Sequence, residues 1–315
     1  MAINKKTNII FMGSSDFSVP ILLELIKKFK VVGVVTEIDK PAGRHKEIAV
    51  PPMKLIAQEQ GIPLFQPLSL KKNPKIHEQL KALNPDLVVV AAYGKFLPSE
   101  TLNLAPNGCI NVHPSLLPKY RGASPIQTAL LNGDKKIGVS LILMDEGMDS
   151  GDIVAQDIFE VEPEEDFSLL AKRLALLSAE MLVKNIPAYL AGQLKLKVQN
   201  DDKATYCYQI NKTDGRIDWN KSAEEIYNQL RAFARWPGVY TTFNKRKLDI
   251  IQAFPQEGEK KDAKVGEVFR EENKVLVKCG KGCLRLEEVK LEGKQACNIN
   301  SFVNGYQQFV GATLL

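Results

Sequence analysis

Short apolar runs alternate with helix-periodic stretches over the first two-thirds of the chain. The runs are Asn8-Ile-Ile-Phe-Met12, Val31-Val-Gly-Val-Val35, Asp86-Leu-Val-Val-Val-Ala91, Cys109-Ile-Asn-Val112 and Ile137 to Met144. Continuous Val and Ile, without polar alternation, predict strands covered on both faces, as in a parallel sheet. Between them, Val19 to Phe29, Met53 to Gln60, Lys75 to Leu83 and Ile126 to Asn132 recur with helical spacing. This βαβ alternation predicts an α/β fold with a doubly wound, mostly parallel, Rossmann-like sheet. Phe167 to Leu190, rich in Ala and Leu, predicts one long amphipathic helix ending near Gly192.

The pattern then changes. Gln193 to Thr205 is largely polar and predicts a linker. One helix, Ser222 to Ala232, follows. Beyond it come short β-like runs separated by Gly and charged turns, from Gly238-Val-Tyr-Thr-Thr-Phe243 to Cys283 through Leu291. Their spacing suggests a small barrel. The expected division is therefore residues 1–192, a linker at 193–206, and a β domain at 207–315.

Length and composition narrow the picture only a little. A chain of 315 residues accommodates two domains. No apolar stretch approaches the roughly 18 residues that a membrane-spanning helix needs. The start, Met-Ala-Ile-Asn-Lys-Lys, leads into a strand-like run instead of a signal-peptide core. Five cysteines, an odd number, fit a reducing cytoplasm. The net charge is +5, and from residue 206 onward there are 18 Lys and Arg against 14 Asp and Glu. The basic surplus thus lies mostly in the last third, which is compatible with nucleic-acid contact.

The chemistry concentrates in two short stretches. Asn111 and His113 are two apart on a β-like run, so they share a face near its carboxyl end. In open parallel sheets that end is where ligands bind. Asp149 lies in a Gly-rich loop after Ile137 to Met144, and if the two strands are neighbours its carboxylate can reach the imidazole. An amide that stabilises an oxyanion, an imidazole that moves a proton and a carboxylate that orients it suffice for acyl transfer to an amine without a covalent intermediate. Taken singly, His113 also fits a capping or core residue, and Asp149 a turn residue holding its own backbone.

Asn111-Val-His113, Ser115-Leu-Leu-Pro-Lys-Tyr-Arg-Gly-Ala-Ser-Pro125 and Met148-Asp-Ser-Gly-Asp152 together resemble the signature of the folate-dependent formyltransferases. The wider chain, from Ile9 almost to its C-terminus, is similar to the members of that family that formylate charged initiator tRNA for translation initiation. The resemblance implies 10-formyltetrahydrofolate as co-substrate, initiator methionyl-tRNA as partner, an OB-like second domain, and no metal, membrane or obligate protein partner. It implies catalytic roles for Asn111, His113 and Asp149. It further implies folate contacts from Ser115, Leu116, Leu117 and Pro118, and from the loop Ala92, Tyr93 and Gly94. A cis bond before Pro118 is expected by the same resemblance.

Asp39 to Glu47 is polar, breaks helix and strand, and carries Lys40, Arg44 and Lys46. It fits a plain surface loop. The resemblance implies that it engages the acceptor end of the tRNA, by charge on phosphates and by Arg44 on a base. Lys212 and Arg216 are further candidates for tRNA backbone contact. Transfer to a small amine, such as a purine precursor or an amino sugar, and non-catalytic RNA binding are the alternatives. Phe11-Met-Gly-Ser-Ser-Asp-Phe17 lacks the second glycine of a dinucleotide fingerprint, so no nicotinamide cofactor is expected. Cys279-Gly-Lys-Gly-Cys283 has no second ligand pair and reads as a hairpin.

Overall fold

The computed structural model describes residues 7–42, 47–256 and 262–315. The chain forms two compact units. One holds Met1–Pro125, Lys136–Glu160 and Ala171–Cys207; the other holds Ile126–Lys135, Val161–Leu170 and Tyr208–Leu315.

In the first unit, β1 (Asn8–Gly13), α1 (Ser18–Lys28) and β2 (Lys30–Val35) make the opening βαβ step. A ribbon of β3 (Lys40–Ala42) and β4 (Glu47–Ala49) follows. The alternation resumes with α2 (Pro52–Glu59), β5 (Leu64–Phe65), α3 (Pro74–Lys81), β6 (Leu87–Ala91), α4 (Ser99–Leu102) and β7 (Cys109–His113). Next in the chain come β8 (Arg121–Gly122), α5 (Pro125–Leu131, in the second unit from Ile126 on), β9 (Lys136–Leu143), β10 (Ile153–Glu160), the 24-residue α6 (Phe167–Leu190, in the first unit from Ala171 on) and β11 (Tyr206–Cys207). The main sheet has the order β10-β9-β7-β6-β1-β2-β5. From β7 to β5 every pairing is parallel. β9 and β10 are antiparallel additions at one edge.

The apolar runs explain the central strands. All five residues of β6 are buried, and Ile9 to Met12 are fully buried in β1. α1 seats Ile21, Leu22 and Leu25 in the core and ends with Lys27 and Lys28, whose charges suit the negative end of its dipole. In α6 the buried set Leu170, Leu174, Ser178, Leu182 and Ile186 repeats every fourth residue, the stripe of a helix that covers a core.

Two sequence expectations change. The segment from Asp39 to Glu47 was expected to break strand structure, but Lys40–Ala42 pairs with Glu47–Ala49. A two-stranded ribbon leaves outward backbone groups free, so Pro41 is tolerated. The other change is Ile153–Glu160, a strand that the sequence pattern did not single out. Its Asp157 and Ile158 are exposed, as befits an edge strand, and the apolar alternation is weak.

In the second unit, α7 (Ala223–Ala232) starts at a capping box. Ser222 Oγ accepts from the Glu225 amide at 3.2 Å, and the Glu225 carboxylate accepts from the Ser222 amide at 2.9 Å. Antiparallel strands β12 (Val239–Phe243), β13 (Arg246–Gln256), β16 (Cys283–Leu291), β15 (Lys274–Lys278) and β14 (Val268–Glu271) follow in that spatial order, with β17 (Cys297–Asn298) beside β16. Cys279 to Gly282 is the hairpin between β15 and β16.

The C-terminal tail joins the two ends of this sheet. Thr242 of β12 exchanges backbone hydrogen bonds with Leu315, while Val268 of β14 bonds with Gly311 and Ala312. Leu314, only 2 % exposed, also donates its amide to the carbonyl of Gly266. The small barrel expected from strand spacing is thus closed by residues with no strand-like pattern of their own. Leu314→Ala should lower the stability of this unit by about 2–5 kcal/mol. Urea unfolding followed by fluorescence of the buried Trp219, whose indole donates to Thr241 Oγ1 at 3.0 Å, checks it.

Candidate active site

Because β1, β6 and β7 run parallel, their carboxyl ends share one edge of the sheet. The chain winds outward from β1 to β2 and then returns to place β6 on the other side of β1, so a switch in strand order falls here. Ser14, just after β1, donates its amide to the carbonyl of Ala92 at 3.2 Å. Asn111 and His113 stand at the same edge on β7.

Asp149 arrives differently from the expectation. β9 neighbours β7 but antiparallel, with Leu143 opposite Ile110 and Ser140 opposite His113. The end of β9 therefore lies at the amino end of β7, and the loop after it has to run back. It does so through Gly151, where a Cβ would collide with the carbonyl oxygen of Leu143. Asp149 itself has φ +50°, the left-handed region rarely used by residues other than glycine. There its Oδ1 accepts from Asn111 Nδ2 at 3.3 Å. Its Oδ2 accepts from the Gly122 amide at 2.9 Å and lies 3.5 Å from His113 Nδ1.

His113 is 4 % exposed, and its Nε2 is 2.9 Å from the carbonyl oxygen of Tyr120. A carbonyl only accepts, so Nε2 carries the proton and Nδ1 is the nitrogen turned toward Asp149. The main chain of Tyr120 thus fixes the imidazole more closely than the carboxylate does. No sequence signal marks this, because a carbonyl is the same in every residue.

The Ser115-Leu-Leu-Pro118 turn ends in a cis peptide bond before Pro118. Ser140 Oγ donates to the Ser115 carbonyl at 2.7 Å and accepts from the Leu117 amide at 3.2 Å, and Gln156 Nε2 donates to Leu117 O at 3.0 Å. Ser115 Oγ donates to Lys119 O, Leu117 packs with Ile142 and Ile153, and Leu116 lies over Gly138. These side chains hold the turn; Pro118 is half-buried. On the other loop, Ala92 and Gly94 are exposed, whereas Tyr93 is 2 % exposed among Met12, Val35 and Leu97. Burial pushes its phenol up to about 12. Lys40 is exposed and paired with Glu37 at 3.0 Å. Arg44 and Lys46 lie outside the described residues. Lys212 and Arg216 are exposed on the second unit.

The segment read as a linker, 193–206, is bonded throughout the first unit. Lys197 pairs with Ile153, Gln199 and Asp201 bind Arg121, and Thr205 bonds to Pro118, Tyr120 and Arg121. Sequence reasoning missed Arg121 and Gln199, whose partners are distant in sequence. A cavity of about 650 Å³, lined by Gly108, Leu143, Met144 and Tyr189 among others, lies at the amino end of β7, away from His113. Among the described residues no cluster of three or more His, Cys, Asp or Glu is arranged to hold a metal ion.

Residues 5–186 match the family model described as formyl transferase, and residues 209–307 the model described as formyl transferase, C-terminal domain. The chain is 40% identical over 304 residues to the methionyl-tRNA formyltransferase of Caldanaerobacter subterraneus subsp. tengcongensis, covering 95% of this chain and 96% of that one. It is 39% identical over 299 residues to the enzyme of the same name from Geobacter metallireducens, covering 95% of each. An N-formyltransferase from Helicobacter canadensis, crystallised with folinic acid and dTDP-3-aminofucose, shares the fold at TM-score 0.67 and 19% identity, over 92% of this chain and 100% of that one. HypX from Aquifex aeolicus in complex with tetrahydrofolic acid does so at TM-score 0.63 and 16% identity over 96% of this chain, which spans 48% of HypX. With both domain models matched and close to two-fifths identity over nearly its whole length, the chain belongs to the methionyl-tRNA formyltransferases.

Proposed function

We propose that Asn111, His113 and Asp149 carry transfer of the formyl group of 10-formyltetrahydrofolate to the α-amino group of methionine on initiator tRNA. The observation that supports this most is the convergence of an amide and an imidazole, two apart on β7, on one carboxylate from a distant loop. Membership of the family supports the acceptor.

The amine nitrogen attacks the formyl carbon and a tetrahedral intermediate forms with charge on its oxygen. Asn111 Nδ2 has two hydrogens; one points to Asp149, and the other is available to that oxygen. His113 Nδ1 is engaged only loosely, at 3.5 Å, and is the nitrogen that accepts the proton of the attacking amine. The bond between carbon and N10 of the folate then breaks as that nitrogen receives a proton. The Tyr120 carbonyl holds the tautomer that leaves Nδ1 without a proton, and Asp149 balances the charge of the imidazole while it is protonated. The Ser115 to Pro118 turn and the Ala92 to Gly94 loop border the folate. Lys40, Arg44 and Lys46 serve the acceptor end of the tRNA, with Lys212 and Arg216 on its backbone.

Asp149→Asn should lower kcat by about 10²-fold or more, since it removes the charge that balances the imidazolium. Pre-steady-state formyl transfer on a variant with unchanged circular dichroism measures this; parental turnover would sink the mechanism. Arg44→Leu should raise KM for methionyl-tRNA by about ten-fold while folate affinity stays within about two-fold. Equal losses on both substrates would remove Arg44 from the tRNA contact. Formylation of charged initiator tRNA, compared with a purine-precursor amine and an amino sugar, tests the acceptor directly.

A further inference from the structure

We infer that Gln199 is a positioning residue for Asp149, and that the segment from Lys197 to Cys207 is part of the catalytic apparatus; this rests on the catalytic reading of Asp149. The segment lies between the two matched domain models, which end at 186 and begin at 209. Its contacts are made with the elements that carry the catalytic groups.

Gln199 is 7 % exposed. Its Nε2 donates to the carbonyl of Asp149 at 2.8 Å and to that of Gly151 at 2.7 Å, engaging both hydrogens of the amide. Its Oε1 accepts from Arg121 Nε at 3.1 Å and Nη2 at 2.9 Å. Arg121, 3 % exposed, also donates to Asp201 at 2.7 Å. A guanidinium only donates and carbonyls only accept, so a single orientation of the amide satisfies both sides. A side chain with a double acceptor at one corner and two donors at the other is what this position requires.

The need is local. Asp149 occupies the left-handed region, and the following Gly151 is pressed against Leu143. The Gln199 amide ties the two carbonyls that flank Ser150. The same segment secures the other half of the pair. Thr205 accepts the Tyr120 amide on Oγ1 at 2.9 Å and the Arg121 amide on its carbonyl at 2.8 Å. It thereby places the Tyr120 carbonyl that holds His113. One stretch of chain sets both the carboxylate and the imidazole.

Two variants of the full-length enzyme test the assignment. Gln199→Glu keeps an oxygen on Arg121 and turns the other against two carbonyls; Gln199→Met keeps the volume and removes every hydrogen bond. Both should remain folded by circular dichroism, lose about ten-fold or more in kcat, and keep KM for folate and for methionyl-tRNA within about three-fold. In an Asp149→Asn background, adding Gln199→Met should change kcat by less than about two-fold, because the residue acts through a group already removed. Parental kcat in the Gln199 variants, or a full loss that persists in the Asp149→Asn background, would overturn the inference. Parental kcat in Asp149→Asn alone would instead overturn the catalytic reading and the inference with it. Should Gln199→Met fail to fold, Gln199→Glu, which retains a partner for the buried guanidinium, gives the same readings.

Discussion

The carboxylate of Asp149 joins three pieces of chain that no local structure would bring together. Asn111 and His113 come from a central strand, Gly122 from the stretch after the cis-proline turn, and the carboxylate from a loop that has to double back along the sheet. A carboxylate that accepts from an amide and a backbone N–H while facing an imidazole nitrogen is strongly favoured only if its geometry is preset. The surrounding construction follows from that requirement. Gly151 lets the loop pass close to Leu143, Ser140 and Gln156 set the turn from Ser115 to Pro118, and the Tyr120 carbonyl turns the imidazole so that one nitrogen faces the acid.

The parts of this arrangement that were readable in the sequence are those carried by side-chain type and periodicity. Buried Val and Ile runs revealed β1, β2, β6, β7 and β9, and the spacing of Asn111 and His113 placed them on one face. Strand direction was not readable. The run from Ile137 to Met144 looks the same whether it pairs parallel or antiparallel, and its antiparallel pairing moved the origin of the Asp149 loop to the far edge of the sheet. Edge strand β10 hid because exposed Asp157 and Ile158 break the alternation. Gln199 hid because its partners are a side chain and two carbonyls, and a polar, Lys-rich segment resembles solvated linker whether or not its amides are engaged. Tyr93 shows the reverse case: its loop was legible, but that its ring turns into the core among Met12 and Leu97 was not.

The two units also illustrate different ways of protecting a sheet. The first covers its faces with helices and leaves its strand ends for chemistry, so the polar residues cluster where the backbone pairing stops. The second gathers Phe243, Phe302, Tyr306 and Phe309, with Tyr306 stacked on Phe302 and Phe309 edge to face with Phe243 and Phe302 at centroid separations of 5.0 Å. Lys212 and Arg216 are left on its outside. A surface of that kind suits a polyanion, while the core beneath it is ordinary aromatic packing.

The bonding of Gly311–Leu315 to both β12 and β14 has a consequence for the order of events during synthesis. Domains generally acquire structure as the chain emerges, N-terminal parts first. The first unit has all its strands once Cys207 has been made. The second leaves backbone groups of Thr242 on β12 and Val268 on β14 without these partners until residues 311–315 follow, and such groups are templates for pairing with other chains. A ribosome that stalls a few codons short of that point would release a protein with a finished catalytic layer and an open, adhesive barrel.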